Sequence, residues 1–89
     1  MARSHSTRAT RRLTMPTGIT PDLLHGVIER DAVFQDNLTC ALRRRGQNKI
    51  TTDQFRAIRG WLVHRALYRH VRSVGLPLAL VPRFEAVIR

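Results

Sequence analysis

The stretch of residues 52–74 carries apolar residues at helical spacing and follows the strongest helix start signal of the chain. Thr51 and Gln54 form a capping box at its start, and Gly75 follows its last turn, so the sequence predicts one helix across the stretch. Its apolar side chains cover most of the circumference, which is typical of a helix in the middle of a bundle or against a partner. Gly60 weakens this helix, and we expect it to mark a close approach by a neighbouring element.

A second helical region precedes the long helix. Thr20 is a suitable N-cap and Pro21 suits the first helical position, where a missing N–H is tolerated. Apolar residues then recur at helical spacing as far as Gly46, which we expect to stop the helix. Asp31 could cap a further helix, so the sequence allows a break at Arg30 and Asp31.

The end of the chain carries weaker signals. The residues after Gly75 predict a short extended piece, and Pro82 predicts a last helical turn. No segment alternates between apolar and polar residues as a strand would. We therefore predict an all-α fold, a small bundle of three or four helices. Residues 1–16 are expected to form a basic tail and residues 17–89 a single domain.

Net charge is the strongest indicator of function. Sixteen Lys and Arg against six Asp and Glu give a formal charge of +10, which favours a polyanionic partner. Fifteen of the cations are Arg, a bias that a GC-rich genome would produce. Codon usage explains why Arg replaces Lys, but it does not explain why acids are scarce.

Two groups of cations are the best candidates for binding phosphate. One lies at a predicted helix end and its loop: Arg43, Arg44, Arg45 and Lys49. The other lies in the tail: Arg3, Arg8, Arg11 and Arg12. A single guanidinium group can donate two parallel N–H hydrogen bonds to two oxygens of one phosphate. Each group also has an alternative role that stays open: the first could serve only the helix dipole, and the tail could be a solubilising extension.

A third group of cations has two interpretations. Arg65, Arg69 and Arg72 share one face of the long helix because they are spaced i, i+4 and i+7. They could bind nucleic acid. They could instead form a salt-bridge ladder with three acids that are seven residues apart: Asp22, Glu29 and Asp36.

Residues suited to catalysis or metal binding are few, so we expect no enzymatic activity, cofactor or metal. No pair among the histidines and Cys40 has the short spacing that holds zinc. Cys40 sits among apolar residues and is expected to be a buried, small apolar group. A single cysteine gives no reason to expect an oxidising compartment, and no apolar run is long enough to span a membrane. We expect a cytoplasmic protein, with a mitochondrial presequence as the minor alternative.

The sequence therefore predicts a small, basic, non-enzymatic protein that binds the phosphate backbone of RNA or DNA, alone or as a minor subunit of a ribonucleoprotein. A helix-turn-helix is disfavoured, because the predicted turn is too long and the second helix too apolar. The alternative is a protein-binding adaptor or inhibitor, such as a phage or another mobile element encodes, that docks on an acidic surface of a larger enzyme or complex. Trp61 and Tyr68, on one side of the long helix, would anchor that interface.

Overall fold

Residues 15–89 are described by the computed structural model, so nearly all of the predicted tail lies outside the described part. The elements are α1 (Pro21–Glu29), α2 (Ala32–Gly46), α3 (Thr52–Ser73), a short 3₁₀ helix (Leu78–Leu80) and α4 (Val81–Val87). No strand occurs within residues 15–89, so the predicted all-α fold of three or four helices is confirmed, with four α-helices in this region.

Side-chain caps separate α1 from α2. The Thr20 hydroxyl accepts a hydrogen bond from the backbone N–H of Leu23 at 3.1 Å and caps α1. The Asp31 carboxylate accepts one from the N–H of Phe34 at 2.8 Å and caps α2. The break that the sequence allowed at Arg30 and Asp31 is therefore present, and the two helices are not continuous.

Helix α3 begins and ends close to where the sequence predicts. Both hydrogen bonds of the capping box form: the N–H of Gln54 donates to Thr51 Oγ1 at 3.0 Å, and Gln54 Oε1 accepts from the N–H of Thr51 at 2.8 Å. At the other end Gly75 has a φ of +76°, and the next N–H, that of Leu76, donates to the carbonyl of Val71 at 3.0 Å. This pairing around a left-handed residue is a Schellman motif.

Of two local predictions, the first is confirmed and the second is wrong. Gly46 ends α2, but the left-handed residue that turns the chain is Asn48, with a φ of 58°. The segment expected to be extended instead contains the 3₁₀ helix, in which the N–H of Leu80 donates to the carbonyl of Pro77 at 3.0 Å. The turn is favoured because it places Leu80 in the core, where only 1% of its surface is exposed.

The core surrounds the second half of α3. Its fully buried members include Ala66, Leu67 and Val71 of α3, Leu24 of α1 and Phe84 of α4. This arrangement confirms that the long helix is central. Helix α2 contributes to the core only as far as Leu38, and α3 only from Leu62 onward.

Residues 39–60 therefore form a helical hairpin that extends beyond the core, which we call the hairpin arm. The last eight residues of α2 correspond to a length of about 12 Å. Within the arm only Ala41 and Phe55 are buried. The arm thus exposes most of its side chains.

Gly60 and Gly75 should respond oppositely to alanine. A Cβ at Gly60 would meet nothing within 4 Å, so the expected close approach is wrong, and Gly60→Ala should stabilise α3 by about 0.5–1 kcal/mol. Gly75 has a positive φ, and Gly75→Ala should destabilise the protein by about 1 kcal/mol. Urea unfolding of both variants measures these changes. A loss of stability in Gly60→Ala would contradict the description of this position as open.

Candidate nucleic-acid interface

The end of the hairpin arm carries the four predicted cations Arg43, Arg44, Arg45 and Lys49, which we call the tip cations. Three lie in the last turn of α2 and the fourth lies in the loop that follows. All four are exposed, and none makes a salt bridge within residues 15–89. The structure therefore brings together every residue of this predicted group.

Hydrogen bonds fix the backbone that carries the tip cations. The N–H of Gln47 donates to the carbonyl of Arg43 at 3.0 Å. The N–H groups of Asn48 and Lys49 donate to the carbonyls of Arg45 and Arg44 at 3.0 and 2.9 Å, respectively. Together they form a second Schellman motif, here with Asn in the left-handed position. The backbone of the turn between α2 and α3 is therefore held by its own hydrogen bonds.

Arg45 differs from the other tip cations because it also packs against the arm. Its guanidinium carbon lies 4.2 Å from the centre of the Phe55 ring, a cation–π contact between α2 and α3. Residues 43, 44 and 45 differ by about 100° around the axis of α2. These three consecutive residues therefore lie on different sides of the helix axis.

Arg69 is part of the internal structure. Its Nε and Nη2 donate to Asp31 Oδ2 and Oδ1 at 2.9 and 2.8 Å, which makes a two-point ion pair between α3 and the cap of α2. The Asp31 side chain is only 15% exposed. The hydrogen bond from Arg69 lowers the pKa of Asp31, helped by the N–H of Phe34 and opposed by burial.

The predicted salt-bridge ladder is wrong, because the three acids proposed for it do not pair with the arginines of α3. Asp22, Glu29 and Asp36 make no salt bridge within the described residues. The ladder needed one continuous helix, and α1 ends at Glu29, so the three acids do not form one stripe. Of Arg65, Arg69 and Arg72, Arg69 alone makes a salt bridge within residues 15–89, with an acid outside the predicted set.

Arg65 lies between the two predicted aromatic anchors. Its guanidinium carbon is 5.8 Å from the centre of the Trp61 ring and 5.3 Å from that of Tyr68. Trp61 is 60% exposed, the most exposed of the large apolar residues among 15–89. Arg72 is also exposed and makes no salt bridge within that part of the chain. The predicted side of α3 therefore combines aromatic rings with cations.

Trp61 is held by a chain of contacts that the sequence did not reveal. Its ring stacks on that of His64, with centres 5.4 Å apart and planes 17° from parallel. His64 Nδ1 in turn lies 2.7 Å from Glu85 Oε1, which links α3 to α4. The stacking partner follows Trp61 by three residues and so could have been found from helical spacing. Glu85 of α4 is 21 residues from His64, so no short sequence pattern indicates this contact.

Other candidate residues are less prominent. Cys40 is exposed, so its predicted burial is wrong; α2 faces the core through Phe34 and Leu38, and Cys40 points about 120° or more away from both. Within residues 15–89 no group of three or more His, Cys, Asp or Glu could hold a metal ion. No helix of that region is long and apolar enough to cross a bilayer. The tail residues Arg3, Arg8, Arg11 and Arg12 lie outside the described residues.

Comparison with known proteins gives no relative from which function could be transferred. No protein-family model matches the chain, and no curated protein or solved structure matches it. Function is therefore argued from the charges, exposure and contacts of its own residues.

Proposed function

We propose that this chain is a small, non-enzymatic nucleic-acid-associated protein that binds phosphate backbones through the tip of its hairpin arm. The observation that carries the proposal is the set of tip cations: four exposed charges, without an ion-pair partner among residues 15–89, on a hydrogen-bonded turn outside the core. Charges that no acid neutralises within the described protein attract a polyanion. Guanidinium groups suit phosphate in particular, because two N–H groups can bind two oxygens.

The positions of the acids support this assignment. Asp31, Asp53 and Glu85 contact Arg69, Arg56 and His64, respectively. None of the six acids pairs with a tip cation. The one acid at this end of the arm, Asp53 in the first turn of α3, is paired with Arg56 and leaves the four tip cations without an ion-pair partner among residues 15–89.

Binding of this kind depends mainly on phosphate neutralisation, with little reading of base identity. The proposal covers RNA or DNA, and action alone or as a minor subunit of a ribonucleoprotein. The arginines of the N-terminal tail would supply a second contact. We place the protein in the cytoplasm, where nucleic acid is accessible and one cysteine needs no oxidising environment.

One observation favours the second candidate, a protein-binding adaptor or inhibitor. Trp61 is largely exposed beside Arg65 and Tyr68, and Trp, Tyr and Arg are the residues enriched at the centres of protein interfaces. An acidic surface on a larger enzyme or complex would complement this side of α3. The tip cations would then attract the acidic partner and raise the rate of association.

Two single substitutions test the proposed interface against the internal ion pair. Arg44→Gln should weaken binding to nucleic acid and leave stability nearly unchanged, because Arg44 is exposed and unpaired within residues 15–89. Arg69→Gln should destabilise the protein by about 1–2 kcal/mol and leave affinity nearly unchanged, because its partner Asp31 is largely buried. Fluorescence anisotropy with a labelled oligonucleotide and urea unfolding measure the two effects.

The unmodified protein provides the reference for this pair. Its log K should fall linearly with log salt, by about 0.9 for each phosphate neutralised on duplex DNA. Affinity that hardly changes with salt, or an Arg44→Gln variant that binds as tightly as the unmodified protein, would place the interface elsewhere.

A further inference from the structure

Trp61, Arg65, Tyr68 and Arg72 form one continuous surface along α3, which we call the aromatic stripe. At 100° per residue the four positions fall within an arc of about 60° and extend about 16 Å along the helix. Aromatic and cationic side chains alternate along it. Three of the four are exposed and Tyr68 is half-buried.

The first residue of the stripe is held in position before any ligand binds. The indole of Trp61 stacks on His64, which is itself hydrogen-bonded to Glu85 of α4, and the Arg65 guanidinium carbon lies 5.8 Å from the centre of the same ring. Trp61 is nonetheless 60% exposed as a residue. A large, restrained aromatic surface loses little conformational freedom on binding, which favours a stacking partner.

We propose that the aromatic stripe binds single-stranded nucleic acid, with a base stacked on Trp61 and phosphates beside Arg65 and Arg72. The inference rests on the proposed function and specifies its ligand. A nucleotide supplies both a flat π face and a negative charge, and it repeats them along the strand in the way the stripe alternates ring and cation. An acidic protein surface would satisfy the cations without supplying a repeated ring partner. Stacking on aromatic side chains is the usual way in which single strands are held without sequence preference.

The distance between the stripe and the loop end of the arm follows from the helical rise of α3. Trp61 lies about 14 Å along α3 from the start of the helix at the loop end of the arm. Stripe and arm together extend about 30 Å along α3. A duplex keeps its bases stacked inside, so it can meet the tip cations but cannot offer a base to Trp61. The stripe should therefore add affinity for single strands alone.

Trp61 is the only tryptophan of the chain, so its fluorescence reports on this site alone. The probes are a 12-nucleotide oligouridylate, a 12-nucleotide oligothymidylate and a 12-base-pair DNA duplex, titrated at low salt. We expect both single strands to quench Trp61 and the duplex to bind without quenching. Trp61→Leu should lower single-strand affinity about 10-fold, Trp61→Phe should restore most of it, and neither should change duplex affinity.

Leu78→Ala is the matched control, because Leu78 is an exposed apolar residue in the 3₁₀ helix, outside the stripe. It should bind every probe like the unmodified protein. Equal binding of single strands and duplex without quenching would overturn the stacking inference and leave phosphate binding standing. Failure of all three probes to bind at low salt would overturn the proposed function as well. A Trp61→Leu variant that keeps full single-strand affinity would also overturn the inference. That result would favour a protein partner for the aromatic stripe.

Discussion

Replacing Arg43, Arg44 and Lys49 together by Gln is expected to lower affinity for nucleic acid about 100-fold at low salt. Each charge should contribute about 1 kcal/mol when it meets a phosphate, and three such losses amount to roughly two orders of magnitude. The plot of log K against log salt should also become shallower, by about one unit for each cation removed. Arg45 is kept because its guanidinium packs on Phe55 and supports the arm. Anisotropy titrations between 50 and 200 mM salt give both quantities.

A control variant removes the same charge elsewhere. Arg59, Arg83 and Arg89 are exposed, make no salt bridge within residues 15–89 and lie outside the tip. Changing all three to Gln lowers the net charge equally, and we expect a much smaller loss of affinity, arising from the general field of the protein. Equal losses in the two triple variants would mean that net charge, and not the tip, determines binding.

The helices were largely predictable because their ends are marked locally. The capping box at Thr51 and Gln54 and the glycine at position 75 defined α3, and both act as the sequence indicated. Asp31 was recognised as a possible cap on the same grounds. Caps satisfy backbone groups within a few residues, so short sequence patterns are sufficient to find them.

Contacts between distant residues were not predictable in the same way. Asp31 and Arg69 are 38 positions apart, and their pairing depends on how α2 packs against α3. The ladder with Asp22, Glu29 and Asp36 requires these acids to share one face of a single continuous helix. They do not, because α1 and α2 are separate helices. Exposure of Cys40 is not predictable for a related reason, since apolar neighbours in sequence do not show which face of α2 meets the core.

The candidate site was predictable in part. The tip cations are consecutive or nearly so, and the sequence therefore placed them together without knowledge of packing. That they stand outside the core became clear only from the structure, because the burial of α2 stops at Leu38 and that of α3 begins at Leu62. The hairpin arm thus arises from two helices that are longer than the core they share.

Asp31→Ala is expected to destabilise the protein by about 2–3 kcal/mol, a large share of the stability available to a domain of this size. The substitution removes the cap of α2, worth about 1 kcal/mol, and leaves Arg69 without its partner. Asp31→Asn should cost only about 1–2 kcal/mol, because Asn caps helices as well as Asp does and only the ion pair is lost. Combining Asp31→Asn with Arg69→Gln in a double-mutant cycle should give a coupling of about 1 kcal/mol. If Asp31→Asn is as stable as the unmodified protein, the ion pair contributes nothing.

The same pair predicts a pH dependence with a definite direction. Arg69 lowers the pKa of Asp31 in the folded protein, so the folded state binds this proton less readily than the unfolded chain does. The stabilising contribution of the carboxylate is then fully present above its ordinary pKa of about 3.9, and it is lost as the pH falls through the lower pKa of the folded state. Asp31→Asn has no such proton to bind. Its free energy of unfolding should therefore approach that of the unmodified protein as the pH falls below about 3.9, and a difference between the two that stays constant across this range would contradict the assignment of the ion pair.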